Sequence, residues 1–338
     1  MGGVVVEDSS TTNENCLSCS NGTTITTPLN LDVGDPLLFE PYWKKMGDKC
    51  RVVIEGNDFM SYGFDPKSVC SFIHPELKDA IKRIHCLVGN AVIDDKYIVV
   101  GTGSTQLFQA SWFALSPSDS SNPINVISAA PYYSAYPDAA GFLRSGIYHW
   151  GGDAKLYDKD EPYIEIVTSP NNPDGTIRGP VVRSKSEGKL VHDFAYYWPQ
   201  YTPITHKADH DVMLFTFSKC TGHAGSRIGW AIVKDIEVAK KMTHFLYLSS
   251  VGASKESQIR AAKILGVLCD SYQNLGSQPF FEYGKCLMRE RWEKLREVFE
   301  KSNVFTLAKY PKAYCKFTNE TSETYPGRGA SRTKQSVT

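Results

Sequence analysis

Charge of one sign is what this chain lacks most plainly: Lys+Arg and Asp+Glu number 37 each in 338 residues. With no net field to draw it onto a polyanion, neither nucleic acid nor a membrane surface is expected as a partner. Long apolar runs are lacking as well. Nowhere do about eighteen apolar residues follow one another, as a membrane-crossing helix requires, and the opening MGGVVVEDSS has no basic leader or signal-length apolar stretch. A soluble, cytoplasmic protein is the expectation. Acylation of Gly2 is not expected either, because the motif wants Ser or Thr where Val6 stands. Cysteine is scarce and odd in number, nine in all, which excludes the dense, even framework of a small disulfide-held domain; these residues read as reduced thiols. Cys16 and Cys19 are spaced like half a zinc site, but no second such pair or nearby histidine pair completes one, so the spacing reads as chance and no metal is expected.

What is present is apolar and periodic. Hydrophobic residues make up 41% of the chain, ample for a buried core. Residues 1–28, rich in Ser, Thr, Asn and Gly, read as a flexible leader. From His74 a helical period begins, with Pro75 at a first-turn position and Leu77, Ile81, Ile84 and Val88 three to four apart. Short apolar runs then alternate with helical segments: KYIVVGTG (96–103), INVISAA (124–130), YIEIVTS (163–169), KLVHDFAY (189–196), DVMLFTFS (211–218) and RIGWAIV (227–233). Strands of this kind belong to a mostly parallel sheet covered by helices on both faces, an α/β fold. After Asp235 the chain reads as long helices, roughly 235–248, 255–273 and 280–301, the last with Phe281, Met288, Trp292, Leu295 and Phe299 on one side.

In open α/β sheets ligands sit beyond the carboxyl ends of the strands, and the distinctive turns of this chain fall there. SKCTGHAGSR places Lys219 at the end of an apolar run with Arg227 eight positions on. A lysine of ordinary setting is a solvated charge; one that attacks a carbonyl needs desolvation and a neighbouring cation, and both are within reach here. GTGST (101–105) is either an ordinary glycine-rich turn or a phosphate cradle at a helix N-terminus. Asp193 and Tyr196 in HDFAYYW could pair with a protonated ring nitrogen and hydrogen-bond a phenolic oxygen. Asn172 in SPNNPDG reads as a turn residue as readily as a ligand, and Tyr133 in APYYSAY as a core aromatic or a stacking ring. Together these supply an amine nucleophile, a phosphate cradle, a ring-nitrogen partner, a phenolate donor and a stacking face, the needs of pyridoxal 5'-phosphate.

The stretches LDVGDP, YWKKMGD, MSYG, YIVVGTGSTQL, SPNNPDGTIR, HDFAYYWPQYTPIT, DHDVMLFTFSKCTGHAGSRIGWAIVKD and SKESQIRAAKIL give the chain a specific resemblance. It resembles the alliinase/tryptophan aminotransferase-related family of fold-type I pyridoxal-phosphate enzymes, and in particular the plant L-tryptophan:pyruvate aminotransferases that make indole-3-pyruvate for auxin. The resemblance implies that Lys219 forms the Schiff base with the cofactor and then moves the substrate α-proton. It implies that Ser218, Arg227, Ser104, Thr105 and the amide of Gly103 bind the phosphate. Asp193 keeps the ring nitrogen protonated, Tyr196 and Asn172 hydrogen-bond the phenolic oxygen, and Tyr133 stacks on the ring. Tyr62 reaches the phosphate of a neighbouring subunit, which makes a homodimer the expected assembly. Amino acids and 2-oxo acids are the implied substrates.

The implied organisation is a leader (1–28), an N-terminal segment contributing to the small domain (29–50), a large cofactor-binding domain (51–250), a helical linker with a partial small domain (251–326) and a divergent polar tail (327–338). The resemblance is read as ending near Pro326, ahead of the family's arginine for the substrate carboxylate, so a C-terminally truncated chain is the expectation. Two other readings are a cysteine-sulfoxide carbon–sulfur lyase of the alliinase kind and a non-catalytic dimerisation partner. Only Cys16 and Cys19 precede the catalytic region, where alliinases carry a cysteine-rich module, and this favours the aminotransferase.

Overall fold

Each of the six apolar runs becomes a strand, and a seventh joins them. In the computed structural model, which describes residues 36–118, 122–183, 187–273, 278–302, 305–326 and 331–333, the strands are β1 (Tyr97–Gly101), β2 (Ile124–Ser128), β3 (Tyr148–Asp153), β4 (Tyr163–Thr168), β5 (Gly188–Asp193), β6 (Val212–Thr216) and β7 (Gly229–Val233). They form one sheet in the order β1-β7-β6-β5-β4-β2-β3. β7 runs antiparallel to β1 and β6; the other pairings are parallel. Every residue of β2, β4, β6 and β7 is buried, as a sheet covered on both faces requires. The leader read over 1–28, and Cys16 and Cys19 with it, lies outside the described residues. The seven cysteines among the described residues are free thiols.

β3 is the strand of the seven-stranded sheet that no apolar run in the sequence announces. Its segment, YHWGGD, carries two glycines and an exposed histidine, and it sits at the sheet edge. The register against β2 shifts between Val126 and Ile127, so Gly151 is an extra residue, and a Cβ there would lie 2.8 Å from Ile127 Cγ2. A bulge that needs glycine leaves no alternating apolar pattern to read.

Eight helices cover the sheet or extend beyond it among the described residues: α1 (Glu40–Met46), α2 (Pro75–Val88), α3 (Ser104–Leu115), α4 (Ala135–Phe142), the single turn α5 (Phe217–Cys220), α6 (Ile236–Ser250), α7 (Lys255–Ser271) and α8 (Phe280–Glu300). α2 has Pro75 at its first position, a His74 ring nitrogen accepting from the Glu76 amide, and Gly89 at φ 67° as a left-handed terminator. α2 packs against α7 and α3 against α6. α8 buries Phe281, Met288 and Trp292 of the apolar side read from its spacing, with Phe280 beside them, while Leu295 and Phe299 are only half-buried. Beyond it, β8 (Phe305–Leu307), β9 (Ala313–Cys315), β10 (Glu320–Ser322) and β11 (Ser331–Thr333) pair as β9–β10 and β8–β11.

Behind the site a buried polar chain ties α2 to the loop after β5. Trp230 Nε1–H donates to His85 Nε2 (2.9 Å), His85 Nδ1–H to Asn90 Oδ1 (2.7 Å), and Asn90 Nδ2–H to the Tyr197 carbonyl (2.8 Å). An indole nitrogen only donates, so His85 must accept at Nε2 and is neutral. Burial lowers its pKa from 6.5 to about 4, opposed by the Asn90 hydrogen bond. A proton taken up below pH 6.5 by the unfolded chain, but only near pH 4 by the folded one, removes stability as the pH falls through that window. We predict that His85 alone lowers unfolding free energy by about 2 kcal/mol between pH 7 and 5. Denaturant unfolding of wild type and His85→Gln at both pH values checks this, since the variant should lose that part of the slope; equal slopes would place the sensitivity elsewhere.

Candidate active site

β6 delivers the lysine. Thr216, its last residue, caps the single turn α5 by accepting from the Ser218 amide (3.3 Å), which puts Ser218 and Lys219 at the strand's carboxyl end. The fully buried Gln200 donates from Nε2 to the carbonyls of Lys219 (3.0 Å) and Cys220 (3.1 Å), pinning that turn. Lys219 Nζ lies 5.6 Å from the centroid of the Tyr196 ring.

Arg227 stands at φ 52°, ψ 50°, just before β7. Its guanidinium donates to Ala224 O (3.0 Å) and to Thr102 O (3.1 Å), bridging to the turn after β1. Gly103 stands at φ 92°, a conformation that favours glycine, and a Cβ there would come within 2.6 Å of Arg227 Nη2 and displace the guanidinium. α3 then starts at Ser104 with no side chain capping its amides. Uncapped amides at a helix N-terminus, the hydroxyls of Ser104, Thr105 and Ser218, and a guanidinium form an anion cradle.

The opposite charge lies two strands away. Asp193 ends β5 at 4% exposure, its Oδ2 accepting from the Tyr136 hydroxyl (2.8 Å) and its Oδ1 from the Ala195 amide (3.0 Å). Burial pushes its carboxyl up from the ordinary value, and those two hydrogen bonds pull against the rise. No cation pairs with it among the described residues. Asn172 and Tyr133 come from loops that Arg178 ties together, donating to the carbonyls of Ala129 (2.6 Å) and Pro131 (2.9 Å) while pairing with Asp174 (2.7 Å). Burial raises Asp174, but Asn171, Thr176 and Arg178 together hold it below its ordinary pKa.

One cavity of about 210 Å³ is lined by Ser104, Thr105, Tyr133, Asn172, Asp193, Tyr196, Ser218, Lys219 and Arg227. Gly103 stands behind it against Arg227. Tyr62 does not line it and is 82% exposed. Thr168, Thr216 and Tyr136, together with Ala195 and Ala224, complete the wall, and none of the five stands out from the sequence. A tyrosine in an alternating aromatic stretch gives no local sign that it reaches an aspartate 57 positions away.

Comparison with solved structures places the fold. Thermus thermophilus aspartate aminotransferase with maleate matches with TM-score 0.53 at 21% identity, covering 69% of this chain and 64% of that one. An Escherichia coli protein identified as a methionine aminotransferase matches with TM-score 0.55 at 15% identity, covering 72% and 66%. The fold is that of the fold-type I pyridoxal-phosphate transferases. The family model described as Allinase matches residues 29–337, reaching past Pro326, and the chain belongs to that family. Among curated relatives, tryptophan aminotransferase-related protein 2 of Arabidopsis thaliana is 53% identical over 88% of this chain and 68% of its own length. Tryptophan aminotransferase-related protein 1 of Oryza sativa subsp. japonica is 51% identical, with 88% and 69% covered. Alliin lyase of Allium cepa is 39% identical, with 84% and 60% covered. The chain thus spans roughly two-thirds of the length of these relatives.

The residues fit the cofactor that the fold implies. A buried carboxylate with no cation of its own suits a protonated ring nitrogen, and the Gly103–Arg227 approach leaves a cradle that a side chain would fill. We predict that Gly103→Ala weakens pyridoxal 5'-phosphate binding about tenfold or more. Fluorescence titration of the apoprotein measures this; unchanged affinity would remove the turn from the phosphate site.

Proposed function

We propose that this chain is an aminotransferase dependent on pyridoxal 5'-phosphate, transferring the amino group of L-tryptophan to pyruvate to give indole-3-pyruvate and L-alanine, chemistry that serves auxin biosynthesis. The observation that carries the proposal is the convergence of Lys219, Asp193 and Arg227, from three adjacent strand termini, on one cavity. The names and identities of the tryptophan aminotransferase-related relatives support the choice of substrate.

The cofactor, when bound, supplies an electron sink for the pair left on the substrate α-carbon. The chain's own residues do the rest. Arg227 and the hydroxyls of Ser104, Thr105 and Ser218, with the Gly103 amide, hold the phosphate through charge-assisted hydrogen bonds. Asp193 would face the ring nitrogen with a carboxylate and so favour its protonated form. Tyr196 and Asn172 would donate to the phenolic oxygen, and Tyr133 would pack on the ring face. Lys219 Nζ would be the attachment point for the cofactor's aldehyde carbon and, once released from it, the base that takes the substrate α-proton. Tyr62, exposed and outside its own cavity, serves the phosphate of a second copy in a homodimer. No helix among the described residues is long and apolar enough to cross a membrane, and we place the protein in the cytoplasm.

The Allium relatives support a second reading, release of pyruvate from a cysteine sulfoxide without an amino acceptor. Assaying tryptophan plus pyruvate against a cysteine sulfoxide alone separates the two. We predict indole-3-pyruvate and alanine from the first mixture, falling by about a thousandfold or more in Lys219→Ala. Pyruvate from the sulfoxide alone would overturn the aminotransferase in favour of the lyase. Cofactor uptake with neither turnover would support a non-catalytic partner.

A further inference from the structure

Tyr136 is fully buried, yet its hydroxyl reaches the cavity wall through two contacts of 2.8 Å, one to Asp193 Oδ2 and one to Thr168 Oγ1. An ionised carboxylate can only accept, so the phenol proton points to Asp193, and the Thr168 hydroxyl must then donate to the phenol oxygen. The order is Thr168 to Tyr136 to Asp193, each donor strengthening the next. The ring itself is clamped: it meets Tyr133 edge-on at 5.5 Å and Phe108 at 5.2 Å, and Trp112 lies 6.5 Å away. Tyr136 therefore touches both the acid assigned to the ring nitrogen and the ring assigned to stacking.

We propose that Tyr136 is a positioning residue for the reaction proposed above: its phenol, aligned by Thr168, fixes the rotamer of Asp193 and keeps it as a carboxylate turned to the cavity. This rests on the assignment of Asp193 to the cofactor ring. The two donors to Asp193 are neutral, so its full negative charge is left for a cation that enters the site. A lysine or arginine in place of Tyr136 would pair with the acid and compete with that cation. Burial and the Asp193 charge hold the phenol well above its ordinary pKa, so it stays a donor through the working pH range. The other titratable groups sharing the cavity with Asp193 are Tyr133, Tyr196, Lys219 and Arg227.

The test reads the acid without the cofactor. In apoprotein carrying ¹³C-labelled aspartate carboxyls, with the Asp193 signal assigned by its loss in Asp193→Asn, the carboxyl is titrated in wild type and in Tyr136→Phe. Removing one donor while keeping the ring should raise the proton affinity of Asp193 about tenfold. Thr168→Val, which keeps the tyrosine and its packing, should shift it in the same direction by less and covers the case in which the phenylalanine variant does not fold. In the holoenzyme Tyr136→Phe should lower kcat while KM for tryptophan changes little. An Asp193 titration that is the same in wild type and in the folded variants overturns the proposal, whatever happens to turnover. Because that titration needs neither cofactor nor substrate, its failure is distinct from failure of the aminotransferase reading.

Discussion

A carboxylate held at the end of β5 with 4% of its surface exposed, and only neutral donors around it, is the constraint from which the rest of the site follows. Taking an unpaired charge of this kind out of water costs several kcal/mol, about 1.5–3 kcal/mol of which each charge-assisted hydrogen bond can offset. Two such bonds leave the balance near zero or unfavourable. A cationic group entering the cavity changes the sign, because it pairs with a charge already desolvated and already oriented. The cost lies in the fold and the gain in the complex, so a ligand with a protonated ring nitrogen binds the folded state in preference to the unfolded one.

The positive end of the cavity is built by β7, the strand of the seven-stranded sheet that runs antiparallel to both its neighbours. Gly229, where β7 begins, is paired with Gly101 at the end of β1 and with Thr216 at the end of β6. Its α-carbon faces Gly103 so closely that a Cβ would stand 2.7 Å from the Gly103 carbonyl carbon. An antiparallel β7 thus brings its own start to the same edge of the sheet as the carboxyl ends of its neighbours. Arg227, two residues earlier, can then reach across to Thr102. Had β7 run parallel, its start and Arg227 would lie at the opposite edge, away from Lys219 and Asp193.

Much of this was legible because burial writes itself into composition. Strands covered on both faces must be apolar throughout, so six of the seven sheet strands stood out as runs, and the turns after them marked the site. Lys219, Asp193, Arg227, Ser104, Thr105, Ser218, Tyr196, Asn172 and Tyr133 all proved to line one cavity. β3 was illegible because its glycines answer to a bulge rather than to a buried face. α4 was illegible because its segment, AYPDAAGF, has a weak apolar period and a proline near its start. Tyr136 and Gln200 escaped for another reason. Their partners, Asp193 and the carbonyls of α5, are distant in the chain or lie on the backbone, and a side chain that serves another residue leaves no pattern around itself.

The sheet order gives the cavity a polarity that suits one orientation of ligand. β6, which carries Lys219 at its end, lies between β5, which ends in Asp193, and β7, which begins just after Arg227. Negative charge thus stands on one side of the lysine and a guanidinium with uncapped helix amides on the other. A molecule with an anionic group at one end and a protonated nitrogen at the other gains at both ends in one orientation and is opposed at both when reversed. At about 4 Å and an effective dielectric near 20, one unit pair amounts to about 4 kcal/mol before desolvation is counted, so the preference between orientations is strong. Neutral support for Asp193 matters for the same reason. Tyr136 and the Ala195 amide orient the acid without cancelling it, and so preserve the contrast between the two ends that aligns a ligand's reactive carbon with Lys219.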